Sequence, residues 1–74
     1  MWLVKITCPE DAWKRFVMDF QRSAEKYQGV CITSKKMSDG TRIMEYKVED
    51  VNDAESFVTD CSNLNGFKAD FESL

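Results

Sequence analysis

Three cysteines, Cys8, Cys31 and Cys61, are the side chains of this 74-residue chain best suited to nucleophilic, redox or soft-metal chemistry, and there is no histidine to assist them. A thiol becomes nucleophilic when a helix N-terminus or a cation lowers its pKa. Cys8 stands just before Pro9-Glu10-Asp11, where a helix is expected to begin, so it is the first candidate. Glu10 and Asp11 lie in the same turn and oppose a thiolate, and with no imidazole the usual general base is missing. Cys61 sits at core spacing in a later apolar pattern and reads as a small buried residue. Cys31, near the start of a strand, is free to oxidise or cross-link but nothing requires it to. Spacings of 23 and 30 residues match neither a disulfide framework nor a paired zinc motif. Reduced thiols are the expectation.

Ile6-Thr7-Cys8 resembles the start of the Met-Thr-Cys-x-x-Cys loop of small heavy-metal-binding domains. Here Ile6 replaces the methionine and Asp11 stands in place of the second cysteine. A single thiolate without a second soft ligand is a poor copper site. Glu49, Asp50, Asp53 and Glu55 lack the glycine-punctuated loop of a calcium motif and read as the solvated acidic start of a helix. Neither a metal nor another cofactor is expected, and no catalytic residue is assigned.

The elements that must position these residues follow from periodicity. Residues 2 to 8 alternate so that Trp2, Val4 and Ile6 face one side and Leu3, Lys5 and Thr7 the other, as in a half-buried strand. From Pro9 to Gln28, Trp13, Phe16, Val17, Phe20, Ala24 and Tyr27 recur at helical spacing. This core helix is read with Cys8 as N-cap, Pro9 in its first position and Gly29 as the left-handed residue that ends it. Phe16 and Phe20 are both expected to be buried.

Residues 30 to 38 and 41 to 49 are β-branched runs joined by Ser38-Asp39-Gly40-Thr41, a hairpin signal. Val30, Ile32, Met44, Tyr46 and Val48 are assigned to the helix side, and Cys31, Thr33, Lys35, Ile43, Glu45 and Lys47 to the opposite face. Residues 50 to 65 repeat the helical pattern through Ala54, Phe57, Val58, Cys61 and Leu64, with Asn52 and Glu55 spaced like a capping box. Asn65-Gly66 ends this helix, and Phe67, Ala69 and Phe71 alternate with Lys68, Asp70 and Glu72 in a last strand.

Strand, helix, strand, strand, helix, strand with right-handed crossovers gives one α+β domain over residues 1–74. It resembles the ferredoxin-like βαββαβ two-layer sandwich, with an antiparallel sheet in the order 4-1-3-2 and both helices on one face. That superfold hosts many activities and transfers no residues. Acylphosphatases share the architecture but hold phosphate in a glycine-rich loop with an arginine between the first strand and helix. This chain passes from Ile6 to Pro9 without either. RNA-binding modules of this topology stack bases on aromatic residues of the open sheet face. Leu3, Lys5, Thr7, Ile43, Glu45 and Lys47 offer none.

Charge is unevenly placed. The net value is −3. Residues 1 to 47 carry nine basic and six acidic side chains, whereas the remainder carries Lys68 against seven acids. An acidic half argues against a nucleic-acid backbone and for a basic protein surface as partner. No run approaches the roughly 18 apolar residues of a membrane span, so a cytoplasmic protein without membrane association is expected. The reading is a small non-catalytic protein-binding or regulatory module, of the size and composition of the accessory or inhibitor proteins that phages encode. Its partner-binding residues are taken as Asp50, Asp53, Glu55, Asp60, Asp70 and Glu72. A small-molecule-sensing domain is the alternative and a nucleic-acid-binding module a further one. Edge-to-edge dimers are expected to set like charges opposite each other. A monomer is expected, or a weak homodimer through Leu3, Cys31, Met37, Ile43 and Leu74 on the open face.

Overall fold

Trp2–Cys8 (β1) forms the centre of a four-stranded antiparallel sheet in a computed structural model that describes residues 1–74. The chain continues through Glu10–Lys26 (α1), Val30–Lys36 (β2), Arg42–Val48 (β3), Val51–Ser62 (α2) and Lys68–Ser73 (β4). The strand order β2-β3-β1-β4 is the expected ferredoxin-like one, all neighbours antiparallel. No helix is long and apolar enough to cross a membrane.

The core lies between the sheet and the two helices. Val4, Ile6 and Cys8 of β1 and Met44 and Val48 of β3 meet Phe20 of α1 and Phe57 of α2, all essentially inaccessible. Phe20 stacks within 6 Å of Tyr46, Phe57 and Phe67, which makes it the hub of an aromatic cluster. Phe16 is only half-buried, against Phe67, so the expectation of two buried phenylalanines holds for Phe20 alone. The stripe on α1 is wider than the sheet it covers, and Trp13 and Phe16 lie at its rim. The Arg42 guanidinium shields Trp13 from 4.6 Å.

Several local readings are corrected. Cys8 ends β1 and Pro9 is the N-cap of α1, because β1 pairs with Arg42 of β3 right up to Cys8. The left-handed residue after α1 is Gln28, at φ +55°, and not Gly29. Gly29 is small for another reason: a Cβ there would lie 3.2 Å from the Tyr46 ring and 3.4 Å from Phe57. Asp50, rather than Asn52, caps α2, accepting from the backbone N–H of Asn52 at 2.7 Å and of Asp53 at 3.3 Å.

The largest correction concerns β2. Its register with β3 shifts between Cys31 and Thr33, so Val30 stands opposite Lys47 on the open face and Cys31 opposite Tyr46 on the helix side. A bulge at Ile32 reverses the alternation, and only from Thr33 onward do the faces match the sequence reading. Val30 and Ile32 are 63% and 49% exposed in consequence. The hairpin turns where expected, with Gly40 at φ +91° and the Asp39 carboxylate accepting from the Thr41 N–H at 3.0 Å.

Candidate functional site

The acidic residues do not share one surface. Glu49, Asp50, Asp53, Glu55 and Asp60 lie on or just before α2, above the sheet, and no lysine or arginine occurs from Val48 to Phe67. Asp70 and Glu72 stand opposite Lys5 and Leu3 of β1, on the open face of the sheet. Alternation in β4 sends Ala69 and Phe71 to the helices and so must send Asp70 and Glu72 away from them. The two groups are therefore separated by the thickness of the sheet.

Within the helical group the carboxylates differ in freedom. Asp50 is committed to the N-cap. Asp60 accepts from the Tyr27 hydroxyl at 2.9 Å and the Ser23 hydroxyl at 3.4 Å, tying α2 to the last turns of α1. Glu49, Asp53 and Glu55 take part in no side-chain ion pair. Glu49, Asp50 and Asp53 line a groove of about 440 Å³ together with Met1, Tyr27, Gln28, Val30 and Lys47, whereas Glu55 lies outside it. Sequence reading missed Tyr27, Val30 and Lys47 here, since they belong to the end of α1 and to the two paired strands of the hairpin.

On the open face Lys5 is the organising cation. Its ammonium lies 2.9 Å from Glu72, with Asp70 and Glu45 opposite it on either side. The Glu72 carboxylate, helped by Glu45 and Asp70, raises the Lys5 pKa above the ordinary lysine value. Of the five residues assigned to a self-association face, Leu3 and Ile43 lie on this face, Met37 is exposed at the hairpin and Leu74 at the chain end. Cys31 does not belong with them. The bulge turns it to the helix side, where it is exposed at the edge of the sheet.

The two buried thiols show no activation. Burial pushes Cys8 up from its ordinary value against a smaller opposing pull from Arg42. Cys61, fully enclosed, is pushed up to about 12 by burial, then by Asp60 and Cys8. Tyr46 is likewise raised to about 12, by burial first and the neighbouring Cys31 next. No group of three acidic, cysteine or histidine side chains is gathered as a metal would need.

Between β1 and α1 there is a single residue, Pro9, flanked by the buried Cys8 and the carboxylate of Glu10. Pro9 has no N–H to donate, and Glu10 is itself an anion, held below the usual carboxylate range by Lys36 and then Lys14. This junction is no cradle for a phosphate.

No model of a known protein family matches the sequence. No curated protein matches it either. Among solved structures, the acylphosphatase from Bacillus subtilis is similar, with a TM-score of 0.70 and 20% sequence identity over 100% of this chain and 89% of that one. An uncharacterized protein from Thermotoga maritima has a TM-score of 0.70 at 9% identity, covering 99% of this chain and 94% of that one. The likeness to both is one of fold: this chain has the ferredoxin-like architecture on which an acylphosphatase is also built.

Proposed function

We propose that this domain is a non-catalytic protein-binding module, of an accessory or inhibitor type such as phages encode, that receives a basic surface of another protein against the start of α2. One observation carries the reading. Glu49, Asp53 and Glu55 make no ion pair, and Glu49 and Asp53 line a groove open to solvent in which Lys47 is the one lysine. Side chains that merely solvate a surface are usually interspersed with the opposite sign, and the long stretch from Val48 to Phe67 is not. A lysine or arginine of the partner entering the groove would bring its charged head to the Glu49 and Asp53 carboxylates. Asp60 is left out of this surface because its oxygens serve α1, and Asp70 and Glu72 because they lie on the other face.

The absence of an anion cradle at Pro9 and the raised Cys8 and Cys61 thiols support the non-catalytic part of the proposal. The test is capture from host extract by the tagged domain, washed at rising salt, against a variant carrying Asp53→Lys and Glu55→Lys together. Partner retention that falls with salt and is lost in the folded variant supports the reading. Retention unchanged by charge reversal sinks it. A saturable thermal shift with a metabolite in place of a protein partner would favour a sensing domain instead.

A further inference from the structure

We propose that β4 is a self-pairing edge, through which two copies of this chain join into one continuous eight-stranded antiparallel sheet with their α2 helices packed across the two-fold axis. The two free edges of the sheet are not equivalent. Edge strand β2 is interrupted by the bulge at Ile32 and ends in Lys35-Lys36, so its side chains fall out of phase with a straight partner and its regular half is basic. Edge strand β4 is regular. It pairs with β1 without a shift from Lys68 to Ser73, contains no proline and leaves its outer side unpaired.

Strand length and charge together favour one register for a second copy. In an antiparallel pair centred on Asp70, Lys68 stands opposite Glu72 of the second copy, Glu72 opposite Lys68, and Ala69 opposite Phe71, with every residue on its proper face. The expectation that edge pairing opposes like charges then holds for Asp70 alone. That pair is flanked on both sides by Lys5, which lies opposite Asp70 in β1. Centring on Lys68 or Glu72 loses the opposite-charge pairs, and centring on Phe71 sets Asp70 against Glu72; centring on Ala69 sets Lys68 against Asp70 but pairs only residues 68–70 of the strand, against 68–72 in the register centred on Asp70.

The helix above the edge fits the same symmetry. Asp60 is bonded to Tyr27 and Ser23 of α1, which fixes the flank of α2 that looks toward α1. Val51, Val58 and Ser62 fall within roughly 40° of one another on the opposite flank at 3.6 residues per turn. Glu55, about 40° round from Val51, borders this flank on its solvent side, and Val51 is 39% exposed although it stands among carboxylates in sequence. Helix α2 lies over β1 and β4. With strands about 4.8 Å apart, a two-fold axis beyond β4 would set the two α2 axes about 10 Å apart, a spacing at which helices pack. Phe71, edge-on to Trp2 at 5.7 Å, sits half-buried beneath this flank and would be covered by it.

Sedimentation equilibrium of the full chain from micromolar to millimolar concentration tests the proposal. A monomer–dimer equilibrium is expected. Lys68→Glu and Glu72→Lys, each of which places like charges opposite one another twice, should each weaken it by about tenfold or more. The double variant Lys68→Glu with Glu72→Lys restores both cross-strand pairs and should restore the dimer, and Asp70→Asn should tighten it. Circular dichroism confirms that each variant is folded. A strictly monomeric wild type overturns the proposal. So does a double variant that stays as weak as the single ones, or a dimer that is lost on Ile43→Lys in the open face while Lys68→Glu leaves it intact.

Discussion

The Tyr27 hydroxyl donates to the Asp60 carboxylate at 2.9 Å, joining the C-cap of α1 to the last turn of α2. The two helices otherwise meet through apolar side chains, so this bond, supported by Ser23, fixes their relative rotation.

Tyr27→Phe is therefore expected to destabilise the domain by about 1 kcal/mol, the usual net worth of one hydrogen bond with room to spare for a charged acceptor. Asp60→Asn keeps an acceptor oxygen and should cost less than Asp60→Ala. Urea denaturation of the three variants checks the order. Equal effects of Asp60→Asn and Asp60→Ala would mean that the bond contributes nothing.

Phe20 and Phe16 separate the hub of the core from its rim. Phe20 is inaccessible and in contact with four other rings, so Phe20→Ala should remove on the order of 3 to 5 kcal/mol, enough to unfold so small a domain. Phe16, half-buried, should cost clearly less as Phe16→Ala. Thermal melts followed by circular dichroism give both values, and a Phe16 variant as damaged as the Phe20 one would contradict the burial pattern.

What was legible in the sequence divides along physical lines. Periodicity recovered all six elements, because burial imposes a period on every element that touches the core, and right-handed crossovers supplied the sheet order; the apolar stripe of α1 ran past the core at Trp13 and Phe16. Asp-Gly placed the hairpin, because few other residues accept the positive φ of Gly40. Caps were read one or two residues off at Cys8 and Asn52, since several neighbouring residues there have capping chemistry and only tertiary pairing chooses among them. The facing of Val30 and Cys31 was misread because a bulge inserts a residue without any composition signal. The acidic residues were found but grouped as one surface. Sequence counts charge without knowing that β4 alternation sends Asp70 and Glu72 to the far side of the sheet from α2.

Acid sensitivity should centre on the start of α1. Glu10 lies 3.4 Å from Lys36 and 3.7 Å from Lys14, and its pKa is held below the ordinary value by Lys36 first and Lys14 next. A carboxyl whose folded pKa is depressed contributes stability that is fully present above its unfolded pKa and is lost as pH falls through the folded one. Asp39, lowered by the Thr41 backbone N–H, acts in the same direction. Denaturation midpoints of the wild type should thus fall between about pH 5 and pH 3, and the fall should be shallower in Glu10→Gln. Both charges are solvent-exposed, so added salt should narrow the difference between the two proteins. A pH profile of Glu10→Gln that parallels the wild type would show that this ion cluster carries none of the acid response.

Gln28 and Gly29 give the sharpest test of why a glycine stands where it does. The left-handed position after α1 is occupied by Gln28, whose Cβ makes φ +55° unfavourable, while the adjacent glycine has an ordinary φ. Gln28→Gly should accordingly leave stability unchanged or raise it by up to about 1 kcal/mol, the relief of strain being partly offset by the greater freedom of the unfolded chain. Gly29→Ala acts in the opposite sense. Its new methyl would press on the Tyr46 ring at 3.2 Å and on Phe57 at 3.4 Å, both part of the aromatic cluster around Phe20. A loss of about 1 kcal/mol or more is expected, together with a change in the near-ultraviolet dichroism of the tyrosine. The exchange of both residues, Gln28→Gly with Gly29→Gln, should be worse than Gly29→Ala, because the larger side chain cannot enter the gap between α1 and β3. If instead Gly29→Ala were neutral and Gln28→Gly destabilising, the turn would be governed by Gln28 contacts rather than by the close approach of Gly29 to the core.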